Sequence, residues 1–187
     1  MNNKEQQNIQ SEKTLTEIFK YNAEAGASEY HVMIHSTKPE DTYEEQLNAV
    51  LNTYDNLLAK ELKGGVAVFK RYFLSDAANQ ADTLLALTTE GSDCALSIVE
   101  QPPLNGTKIA LWVYLQSGVQ TRVLHNGLFE VRHGAYRHLW SGNAFNRAAN
   151  SEYQTRLLLN DYAMQLNRDA NWRTIVSVLG FSCRMWT

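Results

Sequence analysis

Glu44-Glu45-Gln46-Leu47-Asn48-Ala49-Val50-Leu51-Asn52-Thr53-Tyr54-Asp55-Asn56-Leu57-Leu58 is the stretch that decides the fold. Leu47, Val50, Leu51, Tyr54, Leu57 and Leu58 fall at i, i+3, i+4 and i+7 and form one apolar stripe, so the spacing predicts an amphipathic helix over 43–59. The same stretch lies without a gap over Glu152-Tyr153-Gln154-Thr155-Arg156-Leu157-Leu158-Leu159-Asn160-Asp161-Tyr162-Ala163-Met164-Gln165-Leu166, at a constant offset of 108. Glu, Gln, Leu, Asn, Tyr and Leu recur in both. Such an offset is the size of one small domain. The chain of 187 residues therefore reads as one full unit plus a truncated second copy.

Working outward, Glu29-Tyr30-His31-Val32-Met33-Ile34-His35 alternates, with Tyr30, Val32 and Ile34 on one face, and predicts a strand. Ser36 to Thr42 is a polar turn into the helix, and Gly64-Gly65 is expected to end that helix. Val66 to Leu74 is β-branched and aromatic and predicts a strand, ending at Asp76. Residues 77–88 predict a second helix with Leu84, Leu85 and Leu87 inward. Ala95 to Gln101 and Ile109 to Leu115 predict two strands around the Pro102-Pro103-Leu104-Asn105-Gly106 turn, and the turn implies an antiparallel hairpin. The later strand is apolar almost throughout, as suits a strand covered on both faces. A strand–helix–strand step requires a parallel crossover. The expected fold is thus α+β, a two-layer sandwich with a mixed sheet packed on helices. Thr121 to Arg132 reads as a hairpin around Asn126-Gly127 that bridges the two copies. Tyr136 to Ser141 predicts a strand and 152–166 a helix of the second unit. The resulting division is 1–28 as an N-terminal extension, 29–118 as the first unit, 119–134 as the connecting hairpin and 135–187 as the truncated second unit. Met1 to Lys13, rich in Asn, Gln, Glu and Lys, is expected to fray.

Hydrophobic residues make up 44% of the chain and aromatics 10%, enough for a packed core. A net charge of −3, with 17 basic residues scattered along the chain, gives no reason to expect a nucleic-acid partner. No segment approaches the roughly 18–20 apolar residues that span a bilayer, so no membrane partner is expected. The N-terminus lacks the apolar region of a signal peptide. Cys94 and Cys183 are too few for a disulfide framework and lack metal-ligand spacing, which suits a reduced, cytosolic setting.

The order of elements and several short strings resemble the Rid family, the YjgF-like reactive-intermediate deaminases also labelled endoribonuclease L-PSP. The family pattern runs from a strand ending in Ser-Gly-Gln through a helix opening with Glu-Gln to a strand ending hydrophobic-x-Asp. Here the second copy has Ser141-Gly142-Asn143 and Glu152-Tyr153-Gln154, and the first has Glu45-Gln46 and Phe73-Leu74-Ser75-Asp76. Ile98-Val99-Glu100-Gln101-Pro102-Pro103 followed by Ile109 to Leu115 is similar to the family's closing strand pair. The likeness covers residues 29–116 in degenerate form and 135–176 more closely. Two units in tandem also resemble the chorismatases. The resemblance implies a Rid-like, chorismate-mutase-like sandwich; a homo-oligomer and no cofactor are expected. It also implies a pocket in which an arginine from Pro-x-Arg holds a small carboxylated metabolite while a strand glutamate helps water attack an imine or enamine.

The chain departs from that pattern at both places. The arginine position falls at Asp93 or Cys94, and the glutamate position in Ala110-Leu111-Trp112. In the second unit both would lie beyond Thr187. The expectation is a catalytically inactive portion, with a non-catalytic binding or assembly module, or a chorismatase-like hydrolase in the intact parent, as alternatives. A strand like Lys70 to Asp76 should follow Val176, but Ser177-Val178-Leu179-Gly180-Phe181-Ser182-Cys183-Arg184-Met185-Trp186-Thr187 ends the chain. In a shifted frame, permitted codons restore an aromatic strand ending in Asp, so a frameshifted or truncated end is expected, with Cys183 as its by-product.

Among single residues, Ser141, Gly142 and Asn143 are candidates for substrate binding, with a plain strand-end turn as the alternative reading. Cys94 is a nucleophile candidate or a buried structural thiol. Tyr54 and Tyr162, and Trp112 and Trp140, read as packing residues. His31 and His35 share a strand face roughly 13 Å apart, too far to share a metal. His133 and His138 have no fixed element between them, and no metal site is expected. The incomplete sheet of the second unit leaves strand edges and one face of helix 152–166 for self-association.

Overall fold

Seventeen residues from Tyr43 to Ala59 form the expected helix, α1, and its local chemistry explains where it begins. Thr42 is the N-cap: its hydroxyl accepts from the Glu45 backbone N–H while the Glu45 carboxylate accepts from the Thr42 N–H at 2.8 Å, a reciprocal capping box. The computed structural model describes residues 4–22, 27–88, 94–124, 128–133, 136–142 and 150–169. Around α1 the chain runs β1 (Lys4–Gln10), β2 (Thr14–Asn22), β3 (Ser28–Ser36), α1, β4 (Gly65–Leu74), α2 (Ala77–Thr88), β5 (Ala95–Glu100) and β6 (Ile109–Ser117).

These strands form one mixed sheet in the order β1-β2-β3-β6-β4-β5. Only β4 and β5 pair in parallel, joined by α2, and every other neighbouring pair is antiparallel. Two expectations change. Pro102 to Gly106 does not make a hairpin, because β6 passes β5 and inserts between β3 and β4. The strand–helix–strand step over α1 does give β3 and β4 the same direction, but β6 lies between them. The apolar run of β6 explains its central place: Ile109, Leu111, Val113 and Leu115 are fully buried beneath the helices, and Ala110 and Tyr114 are buried on the opposite face.

Gly64-Gly65 does not end α1 directly. The helix stops at Ala59, a further turn carries the buried Leu62, and Gly64 supplies the positive φ of 83° that turns the chain into β4. Asp76 caps α2 by accepting from the Asn79 N–H at 3.2 Å. In α2 only Leu84 of the three expected leucines is fully buried, while Leu87 is 54% exposed. Residues 4–10 do not fray: they pair with β2 in full register from Lys4 opposite Tyr21 to Gln10 opposite Leu15. Their turn is closed by the Ser11 N–H on the Thr14 carbonyl at 2.9 Å. This polar edge strand, carrying Lys4 and Glu5, resists further strand addition.

One side of the sheet carries the helices. Val32, Ile34, Leu47, Val50, Tyr54, Leu57, Tyr72, Leu74 and Leu84 belong to the core between the layers. Gln46 is the polar pin of this side. Its Nε2 donates to the carbonyls of Lys38 and Asp41, both at 2.9 Å, and its Oε1 accepts from the Lys108 N–H at 2.8 Å.

A second, smaller sheet consists of β7 (Gln120–Val123), β8 (Phe129–His133) and β9 (Tyr136–Trp140), antiparallel in the order β7-β8-β9, followed by α3 (Ser151–Asp169). The expected hairpin is the β7–β8 pair, whose tip Asn126-Gly127 lies outside the described residues, as does the whole stretch 170–187. β9 begins 108 residues after β3, and α3 begins 108 residues after α1. The caps match as well: Asn150 Oδ1 accepts from the Tyr153 N–H at 2.8 Å, in the role Thr42 plays for Glu45.

Candidate functional site

The face of the large sheet away from the helices is where chemistry or contact can occur. Strand alternation and register decide what stands there. One row across the sheet is Phe19, His31, Tyr114, Phe69, Ala95; the next is Glu17, Met33, Trp112, Arg71, Ser97; the third is Leu15, His35, Ala110, Phe73, Val99. A register shift between Ala67 and Phe69 adds Val68 to this face.

The small sheet covers part of it. Phe129, Val131 and Trp140 pack on Val68, Phe69, Ala95 and Tyr114, with Cys94, Trp112 and Val119 at the rim. The Trp140 ring lies 5.5 Å from Tyr114 and 6.0 Å from Phe69, centroid to centroid. Burial, helped by the nearby Glu29 charge, pushes the Tyr114 phenol up to about 12, so it stays neutral and receives a 2.6 Å hydrogen bond from Gln116.

Beyond the covered part, the β2–β3 half remains open. Phe19 is 45% and Tyr21 47% exposed. His31 stacks on Tyr114 and Trp112, its ring within 8° of the indole plane. Arg71 stands at the boundary, its guanidinium 5.3 Å from the Phe69 ring and 5.9 Å from that of Trp112. The Arg71 Nε is buried and has no hydrogen-bond partner among the described residues. Arginine sits well on aromatic faces, and such contacts hold the guanidinium in place. Sequence reasoning passed over Arg71. The signal was there, since Phe69-x-Arg71-x-Phe73 puts a cation in phase with two aromatics on the non-helical face.

The residues singled out from sequence are dispersed. Ala110 and Trp112 do reach the open face, while Leu111 points into the helix-side core. Cys94 is half-buried against the small sheet, and Asp93 lies outside the described residues. Glu17 is the acid on the same row as Arg71, but three strand spacings, roughly 14 Å, separate them, with Met33 and Trp112 between. Ser141 is half-buried, and Asn143 is outside the described residues. Gly142 is pressed against the edge strand β5, where an added Cβ would overlap the backbone N, C and O of Leu96. Its missing side chain permits this close approach of two backbones. Tyr54 and Tyr72 lie in the helix-side core, where burial raises both phenols far above their ordinary value, and Lys70 sits 4.8 Å above the Tyr54 ring. Tyr162 packs with Leu139 against Leu124 and Leu128. Among the described residues no three His, Cys, Asp or Glu side chains gather as metal ligands, and no helix is long and apolar enough to cross a membrane.

Comparison with protein-family models, curated proteins and solved structures returned no match. The assignment of function rests on the geometry above.

Proposed function

We propose that the chain is a Rid-like module, related to deaminases of small carboxylated enamines and imines, that has no imine-hydrolysing centre of its own and works as an assembly unit. The observation that carries this reading is the open sheet face. Beside it Tyr114 is covered by Trp140, and the acid and the guanidinium on the Trp112 row stand too far apart to act on one water. The Rid-like part draws support from α1 opening with Glu45-Gln46, β4 ending at Leu74 before Asp76, the strands on either side of Pro102-Pro103, and the matching starts of β3 with β9 and α1 with α3. Ser141 and Gly142 would then contribute to seating the small sheet.

The occupant of the β2–β3 half is a second copy of this chain. The covered half shows what this face accepts: a twisted sheet presenting aromatic and β-branched side chains. An apolar face ending abruptly at Phe19, Tyr21 and His31 continues the same contact. Two measurements on the purified chain test this. Iminoacrylate turnover should be absent, and measurable turnover overturns the non-catalytic reading. Sedimentation should show a dimer or larger species that Phe19→Lys/Tyr21→Lys reduces to a monomer, whereas a monomeric parent overturns the assembly reading.

A further inference from the structure

The seam between the two sheets gathers hydrogen-bond donors that have no acceptor. Every other arginine whose side chain is described meets a carboxylate: Arg122, Arg132 and Arg137 close on Glu130, and Arg156 on Glu152. Arg71 meets none among the described residues, although its Nε is closed off from solvent. The acids of its sheet face, Glu17 and Glu29, stand on β2 and β3, at least two strand spacings or roughly 10 Å away. A guanidinium drawn out of water without an acceptor is costly. The rings of Phe69 and Trp112 offset only part of that cost, because a ring face attracts the charge but accepts no in-plane N–H.

Two more donors without partners border the same place. The Trp140 indole N–H is buried with no acceptor among the described residues, and its ring lies against Phe69, the ring that the guanidinium also covers. Ser97 stands directly opposite Arg71 on β5, half-buried, and its hydroxyl has no hydrogen-bond partner among the described residues. Gly142, two residues after Trp140, presses on the Leu96 backbone and so brings the end of β9 beside Ser97. One fixed positive charge, two neutral donors and no carboxylate call for a monoanion whose head accepts several hydrogen bonds. With its faces taken by Phe69 and Trp112, the guanidinium offers its in-plane edge, which a planar carboxylate matches. Trp112 and Phe73, half-buried on the same face as Arg71, suit an apolar body behind that head.

We propose that Arg71, Ser97 and Trp140 form a binding site for a monocarboxylate with an apolar, ring-sized body, a ligand that ties the small sheet to the large one. The site is not the arginine position of the Rid pattern, which falls at Asp93 or Cys94, and it rests on neither the non-catalytic nor the assembly reading above.

Sodium benzoate and sodium acetate are the probes, titrated into the full isotope-labelled chain against sodium chloride at matched ionic strength. The readout is the Trp140 indole N–H resonance, assigned through its loss in Trp140→Phe. A saturable shift is expected with benzoate and a weaker one with acetate. Arg71→Gln should weaken benzoate binding by about tenfold or more, Arg71→Lys several-fold because the charge stays while the fork is lost, and Arg156→Gln on α3 not at all. Circular dichroism checks that each variant is folded, and the conservative Arg71→Lys keeps the test valid if Arg71→Gln does not fold. Absence of saturable benzoate binding, or equal affinity in the Arg71 variants and the parent, overturns the proposal. Binding seen by calorimetry that leaves the Trp140 resonance unmoved overturns the tie between the sheets, and acetate binding as tightly as benzoate overturns the apolar body.

Discussion

Replacing Gln46 by leucine tests whether the Glu-Gln opening of the helix is a structural device. The side chain is 1% exposed and makes three hydrogen bonds, two as donor to the Lys38 and Asp41 carbonyls and one as acceptor from the Lys108 N–H. Both carbonyls keep a second donor, Lys108 Nζ at 2.7 Å for Asp41 and the Asp41 N–H at 3.2 Å for Lys38, so the loss falls mainly on the Lys108 N–H. Stranding a buried donor or acceptor costs about 1–3 kcal/mol each, and the leucine recovers part of this through apolar burial. The expected loss is therefore about 1–3 kcal/mol, and at about 2–4 °C per kcal/mol for a chain of this size the Tm falls by roughly 2–12 °C. Urea unfolding should show a lower midpoint at unchanged slope, since the surface exposed on unfolding does not change. Gln46→Glu sharpens the test. Its carboxylate can still accept from Lys108, but at neutral pH it faces two carbonyl oxygens with no proton to offer. Its deficit relative to the parent should shrink as the pH falls and the protonated carboxyl regains one donor. A Gln46→Leu variant within about 0.5 kcal/mol of the parent refutes the pinning role.

Two further outcomes follow from the small sheet. Gly142→Ala should push residue 142 off the Leu96 backbone and loosen the Trp140 contact with Phe69 and Tyr114, seen as a red shift and increased quenching of tryptophan emission; an unchanged spectrum refutes the close approach. Burial alone would raise the Glu130 carboxyl, but the hydrogen bonds and charges of Arg132 and Arg122 outweigh it and hold the group below the ordinary carboxylate range. A depressed folded-state value adds stability above the unfolded-state value of about 4.3, and that stability disappears as the pH falls through the folded-state value. The stability gap between the parent and Glu130→Gln should thus be constant near neutrality and close in acid; a gap that widens in acid contradicts the sign.

Helices and apolar strands were legible because each carries its period in its own residues. The stripe of 43–59 and the alternation of 29–35 specify both element and inward face. β1 was not legible for the opposite reason. Lys4-Glu5-Gln6-Gln7-Asn8-Ile9-Gln10 has no period, only Ile9 leans on the core, and the strand exists through its backbone ladder to β2. The place of β6 was also hidden, because a Pro-rich turn reads the same whether the next strand pairs at once or skips to the sheet centre. Arg71 and the Arg122–Glu130–Arg132–Arg137 group were visible as residues, but only register brings them to a point. Arg122 and Arg137 sit on different strands, and no spacing along the chain foretells that both reach Glu130.

On the proposed Rid-like reading, β9–α3 corresponds to β3–α1, and the two sheets are set face to face. α1 lies over β3 in the large sheet and α3 over Leu139 of β9 in the small one, and each sheet has a side uncovered by these helices. Those uncovered sides meet, Phe129, Val131 and Trp140 on Phe69 and Tyr114. The cavity that two such faces could enclose is instead filled by aromatic rings at 5.5–6.0 Å. The remaining access lies along the rim where Arg71 touches Trp112 and along the free stretch from Phe19 to Tyr21. On the proposed assembly reading, the exposed Phe19 and Tyr21 edge is where further sheet-to-sheet contact takes place.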